Sequence, residues 1–176
     1  MDAESDWNFP HQFDYIHSRF LFVGWKDWAK YFKQAYAALK PGGYLELQEL
    51  GNPFVSLDPS LTPGTQAWNS NVFLAFSKTG KDLNAWKDFP ALLKAAGFLP
   101  DSIKQTTERW PSNEKAARNE KERSMVADSM RNFIEVVQNM NPMLYGKVLG
   151  WSEEASKAGL RKTMKELKEV GGHIPV

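Results

Sequence analysis

His17 and Arg19 close one strand-like run of the sequence, and Gln48 and Glu49 close the next. An imidazole titrates near neutrality and can take or orient a proton, while a guanidinium offers a planar fork of donors for a carboxylate or enolate oxygen. A carboxylate at position 49 can accept a proton or hold a substrate group. The same residues read equally well as a satisfied histidine, a buried ion-pair partner and a cap on a neighbouring helix. His11 and His173 stand alone, no two histidines have metal-ligand spacing, and no metal is expected. Cysteine is absent, which excludes disulfides, thiolate metal sites and a cysteine nucleophile, and makes an intracellular, cytoplasmic home the default.

The elements that must position these groups follow from periodicity. Residues 13 to 23 are rich in aromatic and β-branched types after the breaker Asn8-Phe9-Pro10, and the first half predicts a strand with bulk on both faces. From Trp25, the residues Trp28, Phe32, Ala35, Tyr36 and Leu39 recur at helical steps, with Lys26, Lys30, Lys33 and Gln34 on the wet side. Pro41-Gly42-Gly43 is expected to stop that helix and turn the chain into an alternating strand from Tyr44 to Leu50. Strand, helix and strand in this order make a βαβ unit with parallel strands, so the fold class is α/β. Helices are expected over 66–79 and 86–96, and a strand over Ile103–Trp110. A longer helix opens after Asn113 and is broken at Asn141-Pro142, a short helical piece follows, and a last helix starts at Ser152. His173-Ile174-Pro175-Val176 reads as a terminal strand.

Composition bounds the rest. The chain has 176 residues, 42% hydrophobic and 24% charged, with 22 Lys+Arg against 21 Asp+Glu, and a formal charge of +1 gives no reason to expect a nucleic-acid partner. The stretch Lys115–Arg123 is mixed in charge and reads as a solvated helix face. No run approaches the roughly 18 apolar residues of a membrane span, and the acidic start differs from a signal peptide, so no membrane partner is expected. No repeat, low-complexity tract or linker divides residues 1–176, which read as one domain.

Several runs are more specific than periodicity. Phe13-Asp14-Tyr15-Ile16-His17-Ser18-Arg19, Trp28 with Gln34-Ala35-Tyr36, and Leu39-Lys40-Pro41-Gly42-Gly43-Tyr44-Leu45-Glu46-Leu47-Gln48-Glu49 closely resemble the fungal class I S-adenosylmethionine methyltransferases of secondary metabolism. That group contains the velvet-complex global regulator and many trans-aconitate-methyltransferase-like proteins. Asp2-Ala3-Glu4-Ser5-Asp6-Trp7 resembles the acidic segment after the family's third strand, and Trp151-Ser152 and residues 173–176 resemble its carboxyl-terminal pieces. The resemblance implies a truncated Rossmann-like methyltransferase fold that begins at the family's acidic segment. It places Asp2, Ala3 and Glu4 as a remnant of the adenine side of the cofactor site. It puts Trp68, Phe73, Phe76 and Trp110 in the substrate region, where they either line a small molecule or pack the core.

The family's glycine-rich loop and ribose carboxylate have no counterpart here, because Pro41-Gly42-Gly43 follows a helix and cannot serve as that loop. The chain alone is therefore expected to hold no cofactor, with S-adenosylmethionine bound only if a partner chain completes the fold. The strand at 13–19 would be central in the complete fold, so its open edge predicts a homodimer through that edge. Three functions are compatible. One is a repurposed enzyme performing a cyclisation, isomerisation or pericyclic step on a polyketide- or terpenoid-type substrate, with His17, Arg19 and Glu49 catalytic and Gln48 beside them. The second is the carboxyl-terminal part of a methyltransferase, and the third a non-catalytic regulatory module, for which nuclear location follows by family analogy.

Overall fold

The computed structural model describes residues 4–50, 63–108 and 117–170. These residues gather into two compact units, one within Met1–Pro53 and Gly80–Thr106, the other within Phe54–Thr79 and Thr107–Val176.

The first unit is the α/β part. Strand β1 (Phe13–Arg19) leads through a loop to helix α1 (Trp28–Ala38), and strand β2 (Leu39–Gln48) returns parallel to β1. Helix α1 starts where the Asp27 carboxylate accepts the Lys30 N–H at 2.8 Å, capping one of the donors left over in a first turn. Its buried stripe is Trp28, Tyr31, Phe32 and Ala35, the spacing of one helical face. With Trp25 these rings form a core against Leu45 and Leu47 of β2 and against Phe89, Leu92 and Leu93 of helix α3 (Phe89–Ala96). Helix α3 ends at Gly97, whose φ of 115° suits only glycine and whose missing Cβ leaves room for the Tyr36 ring.

The sheet register pairs Tyr15 with Tyr44, Ile16 with Leu45, His17 with Glu46, Ser18 with Leu47 and Arg19 with Gln48. Alternation then sends Ser18, Leu45 and Leu47 toward α1, and leaves Tyr15, His17, Arg19, Tyr44, Glu46 and Gln48 exposed on the opposite face. Bulk on both faces of β1 had implied cover on both sides, but only the α1 side is covered among the described residues. Among the described residues β1 pairs with β2 alone, so no strand is seen on its far edge.

Pro41-Gly42-Gly43 corrects another expectation. It lies inside β2, where four residues, 40 to 43, bulge between the Phe13–Leu39 and Tyr15–Tyr44 pairs. Gly43 is pressed there against the Asp14 carbonyl, and a Cβ would stand 3.1 Å from that oxygen.

The second unit is helical. Helix α2 (Pro63–Lys78), helix α4 (Glu120–Asn141), a π-helical segment (Pro142–Val148) and helix α5 (Glu153–Val170) bury Trp68, Val72, Ala75, Phe76, Val126, Val137, Leu144 and Tyr145. Asn119 caps α4 by accepting the Glu122 N–H at 2.8 Å. Glu166 of α5 accepts the Gly64 N–H at 2.7 Å and so satisfies a first-turn donor of α2. Helix α4 ends at Asn141 as expected, and Pro142 opens the short helical piece that follows, since a ring without N–H is tolerated at the first position of a new helical segment. The helix expected over 86–96 divides into a 3-10 turn (Ala85–Asp88) and α3, and residues 103–108 form no strand. Residues 109–110 and the expected terminal strand lie outside the described residues.

Candidate functional site

The site is built at the carboxyl ends of β1 and β2, the side where open α/β sheets bind ligands. The chain leaves β1 through Phe20, whose φ of 57° is rare for a residue with a side chain. Phe20 N–H donates to the Gln48 carbonyl at 3.0 Å, which keeps the strand ends together. Beyond it the two Glu49 oxygens accept the Leu21 and Phe22 N–H groups, each at 3.1 Å. Glu49 is half-buried, and burial pushes its carboxyl above the usual range while the two amide bonds pull the other way. Both oxygens are thus engaged in fixing the β1–α1 loop.

On the open face a second group assembles. Tyr15 donates its hydroxyl proton to the Glu46 carboxylate, and Gln48 Nε2 donates to Glu46 Oε1 at 2.8 Å. These two bonds, with the charge of His17 as a smaller contribution, hold the Glu46 carboxyl below its ordinary value, and the same contact pushes the Tyr15 phenol up. His17 stacks on Tyr15 with ring centroids 6.3 Å apart, and the Arg19 guanidinium lies 5.6 Å from the centre of the Phe20 ring. Such a face can hold a polar ligand, pass a proton between phenol and carboxylate, or seat another polypeptide.

The structure therefore brings His17, Arg19 and Gln48 onto one face and turns Glu49 to the loop. Tyr15 and Glu46 are the members that sequence reasoning missed. The signal was the parallel register, which alternation within one strand does not reveal. Trp68 and Phe76, at 1% and 3% exposure, pack the interior of the helical unit, where the Trp68 indole donates to Asn141 Oδ1 at 2.9 Å. Phe73 is half-buried in the same unit, and Trp110 lies outside the described residues. Of the adenine-side remnant, Asp2 and Ala3 lie outside them too, while Glu4 accepts the Lys26 N–H at 2.5 Å. Among the described residues no cluster of three or more His, Asp or Glu has metal-binding geometry, and no helix is long and apolar enough to cross a membrane.

Parallel strands joined by a helix, with polar groups gathered at the strand ends, define a Rossmann-like α/β nucleotide-fold class. The comparisons narrow it: a methyltransferase-domain family model matches residues 1–98, and the chain belongs to that family. It is 33% identical over 159 residues to the methyltransferase pytC of Aspergillus terreus, covering 87% of this chain and 47% of that protein. It is 30% identical over 174 residues to the probable methyltransferase tdiE of Emericella nidulans, covering 98% of this chain and 54% of that one. The chain thus spans about half the length of the curated relatives it matches. No solved structure matches.

The family implies S-adenosylmethionine as methyl donor. The described residues do not by themselves fit it. A cradle of this kind needs a backbone bared by glycines between a strand and the helix after it. In the β1–α1 loop the glycine is Gly24, where a Cβ would meet the Leu21 carbonyl at an ordinary 3.7 Å. No close approach requires glycine there.

Proposed function

We propose that the chain is the substrate-side portion of a fungal S-adenosylmethionine-dependent methyltransferase of secondary metabolism. Its cofactor cradle comes from a further methyltransferase segment seated on the free edge of β1 and the open face of the sheet. The observation that carries this reading is the face left uncovered among the described residues, with Tyr15 and Tyr44 at 52% and 73% exposure on a sheet whose other side packs Leu45 and Leu47 against α1. An open strand edge beside exposed aromatics is a surface that natural folds cover. Relatives twice as long that are themselves named methyltransferases support the same completion. In the completed fold, Tyr15, His17, Arg19, Glu46 and Gln48 border the crevice that orients a small acceptor.

Titration calorimetry with S-adenosylmethionine tests it. The chain alone is expected to show no binding below about 1 mM, and stoichiometric micromolar binding refutes the division of labour. Light scattering tells apart a second copy paired through β1, which doubles the mass, from a monomer awaiting a different segment.

The Tyr15–Glu46 bond favours a second reading, a methyl-free isomerisation or cyclisation of a polyketide- or terpenoid-type molecule in which phenol and carboxylate handle the proton. Turnover of a pathway intermediate without S-adenosylmethionine, lost about tenfold in His17→Ala, supports it.

A further inference from the structure

The charged groups of β1 and β2 do not all find partners within the fold. Asp14 pairs with Lys40 at 2.8 Å, Glu46 accepts from the Tyr15 hydroxyl and from Gln48 Nε2, and the two Glu49 oxygens are taken by the Leu21 and Phe22 N–H groups. Every carboxylate on the two strands and at their carboxyl ends is thus engaged. Lys40 is spent on Asp14, but the Arg19 guanidinium meets no carboxylate among the described residues and lies instead 5.6 Å from the centre of the Phe20 ring. A guanidinium fork at a strand end, among acids that are already satisfied, can take an anion from outside, with an aromatic ring backing it.

The strand supplies the rest of the recognition. Alternate residues of a strand stand about 6.6 Å apart on one face, so Tyr15, His17 and Arg19 form a row, and all three are exposed. The Tyr15 and His17 rings are parallel to within 15°, with centroids 6.3 Å apart. A flat ring lodged between two others needs about 3.5 Å on each side, roughly 7 Å in all, so a spread of about 0.7 Å admits one. Tyr15 is tied to Glu46 through its hydroxyl, whereas His17 makes no hydrogen bond among the described residues and is the wall that yields. Arg19 stands at the next position of the row, where an acidic group on the edge of the lodged ring reaches its fork.

We propose that this row is the acceptor subsite and that its ligand is a planar aromatic molecule bearing an anionic oxygen, with the ring between Tyr15 and His17 and the oxygen on the Arg19 fork. This rests on the reading of these residues as the border of the acceptor crevice and adds the class of acceptor, an aromatic carboxylate, enolate or phenolate. The probe is 2-naphthoate, with 2-naphthylmethanol as its neutral counterpart, each titrated into the full chain at low ionic strength and followed by protein-observed NMR. Shifts centred on the His17 ring and the Arg19 side chain are expected, with a Kd of about 5 mM or below for naphthoate and binding at least about tenfold weaker for the alcohol.

Arg19→Gln should bring naphthoate down to the affinity of the alcohol, and Arg19→Lys, which keeps the charge and loses the fork, should fall between. Lys33→Gln, at an exposed position of α1, should leave the affinity unchanged and so separates the row from general attraction of anions. His17→Ala removes one wall and should weaken both probes together. Equal affinity for the two probes, an unchanged affinity in Arg19→Gln, shifts confined to other residues, or no shift up to about 20 mM each overturn the assignment. Displacement of naphthoate by an equal concentration of sulfate also overturns it, since a bare anion then suffices without a ring. Stoichiometric binding of S-adenosylmethionine to the chain alone is a separate outcome, which sinks the division of labour between segments and leaves the dependence on Arg19 as measured.

Discussion

Removing the Glu49 carboxylate should loosen the loop that carries the chain from β1 to α1. Glu49→Ala deletes two hydrogen bonds to a charged acceptor and leaves the Leu21 and Phe22 N–H groups, both on half-buried residues, without their partner. Bonds to charged groups are worth about 1.5–3 kcal/mol each, but partial burial and water access to the freed amides reduce this, and the carboxylate no longer bears its own desolvation cost. The net loss should be about 2–3 kcal/mol, a large share of the stability of a small domain. Glu49→Gln retains one acceptor and should lose roughly half as much. Urea unfolding followed by near-ultraviolet dichroism of the Trp25–Trp28–Tyr31 cluster reads it directly, because the loop delivers Trp25 into that core.

The pH dependence has a definite sign. Burial raises the Glu49 carboxyl in the folded state, so its contribution is fully present below its unfolded pKa and is lost as pH rises through the folded one. The stability gap between wild type and Glu49→Gln should therefore be wider near pH 4 than near pH 7. A change below about 0.5 kcal/mol in Glu49→Ala refutes the clamp. A gap that widens toward neutral pH shows that the two amide bonds outweigh burial.

Three further outcomes follow from the same geometry. Gly97→Ala places a methyl 2.8 Å from the Tyr36 ring at a positive φ, and should cost about 1–3 kcal/mol in thermal or urea unfolding; Tyr36→Ala recovers the steric part only. Trp68→Phe leaves the buried Asn141 carbonyl without the indole donor and opens space in the helical unit, for a loss of about 2–4 kcal/mol by urea unfolding; an unchanged midpoint refutes the bond's role. Tyr15→Phe removes the main cause of the lowered Glu46 carboxyl, so its titration midpoint should move up in a carbon-detected NMR titration, whereas Lys40→Met, which frees Asp14 of its cation, should raise Asp14 and leave Glu46 in place.

The α/β unit was legible because its signals are local: the aromatic stripe of α1, the β-rich runs and the helix stop at Gly97 each act within a few residues. What the sequence hid was non-local. Whether Pro41-Gly42-Gly43 ends a helix or bulges within a strand depends on what Asp14 opposes it across the sheet. That Glu46 rather than Glu49 meets the phenol depends on a register set by pairing strands some thirty positions apart. The aromatic residues assigned to substrate contact carry no mark that separates a ligand wall from a core. Trp68 is buried in the helical unit and its indole is matched by Asn141, 73 positions away.

The π-helical segment has a consequence of phase. Between Pro142 and Val148 the backbone widens so that Leu149 N–H reaches the Leu144 carbonyl five residues back, at 2.9 Å. Such a turn stores one residue more than an α-helical turn would, and each residue of an α-helix rotates the following face by about 100°. Deleting one of these seven positions would let the segment relax to an ordinary α-helical turn of about the same angular sweep, so the faces before and after it would keep their phase. The widened turn thus absorbs a residue without rotating its neighbours, and α5 starts afresh at Glu153 after the non-helical residues 150–152, which set its direction instead.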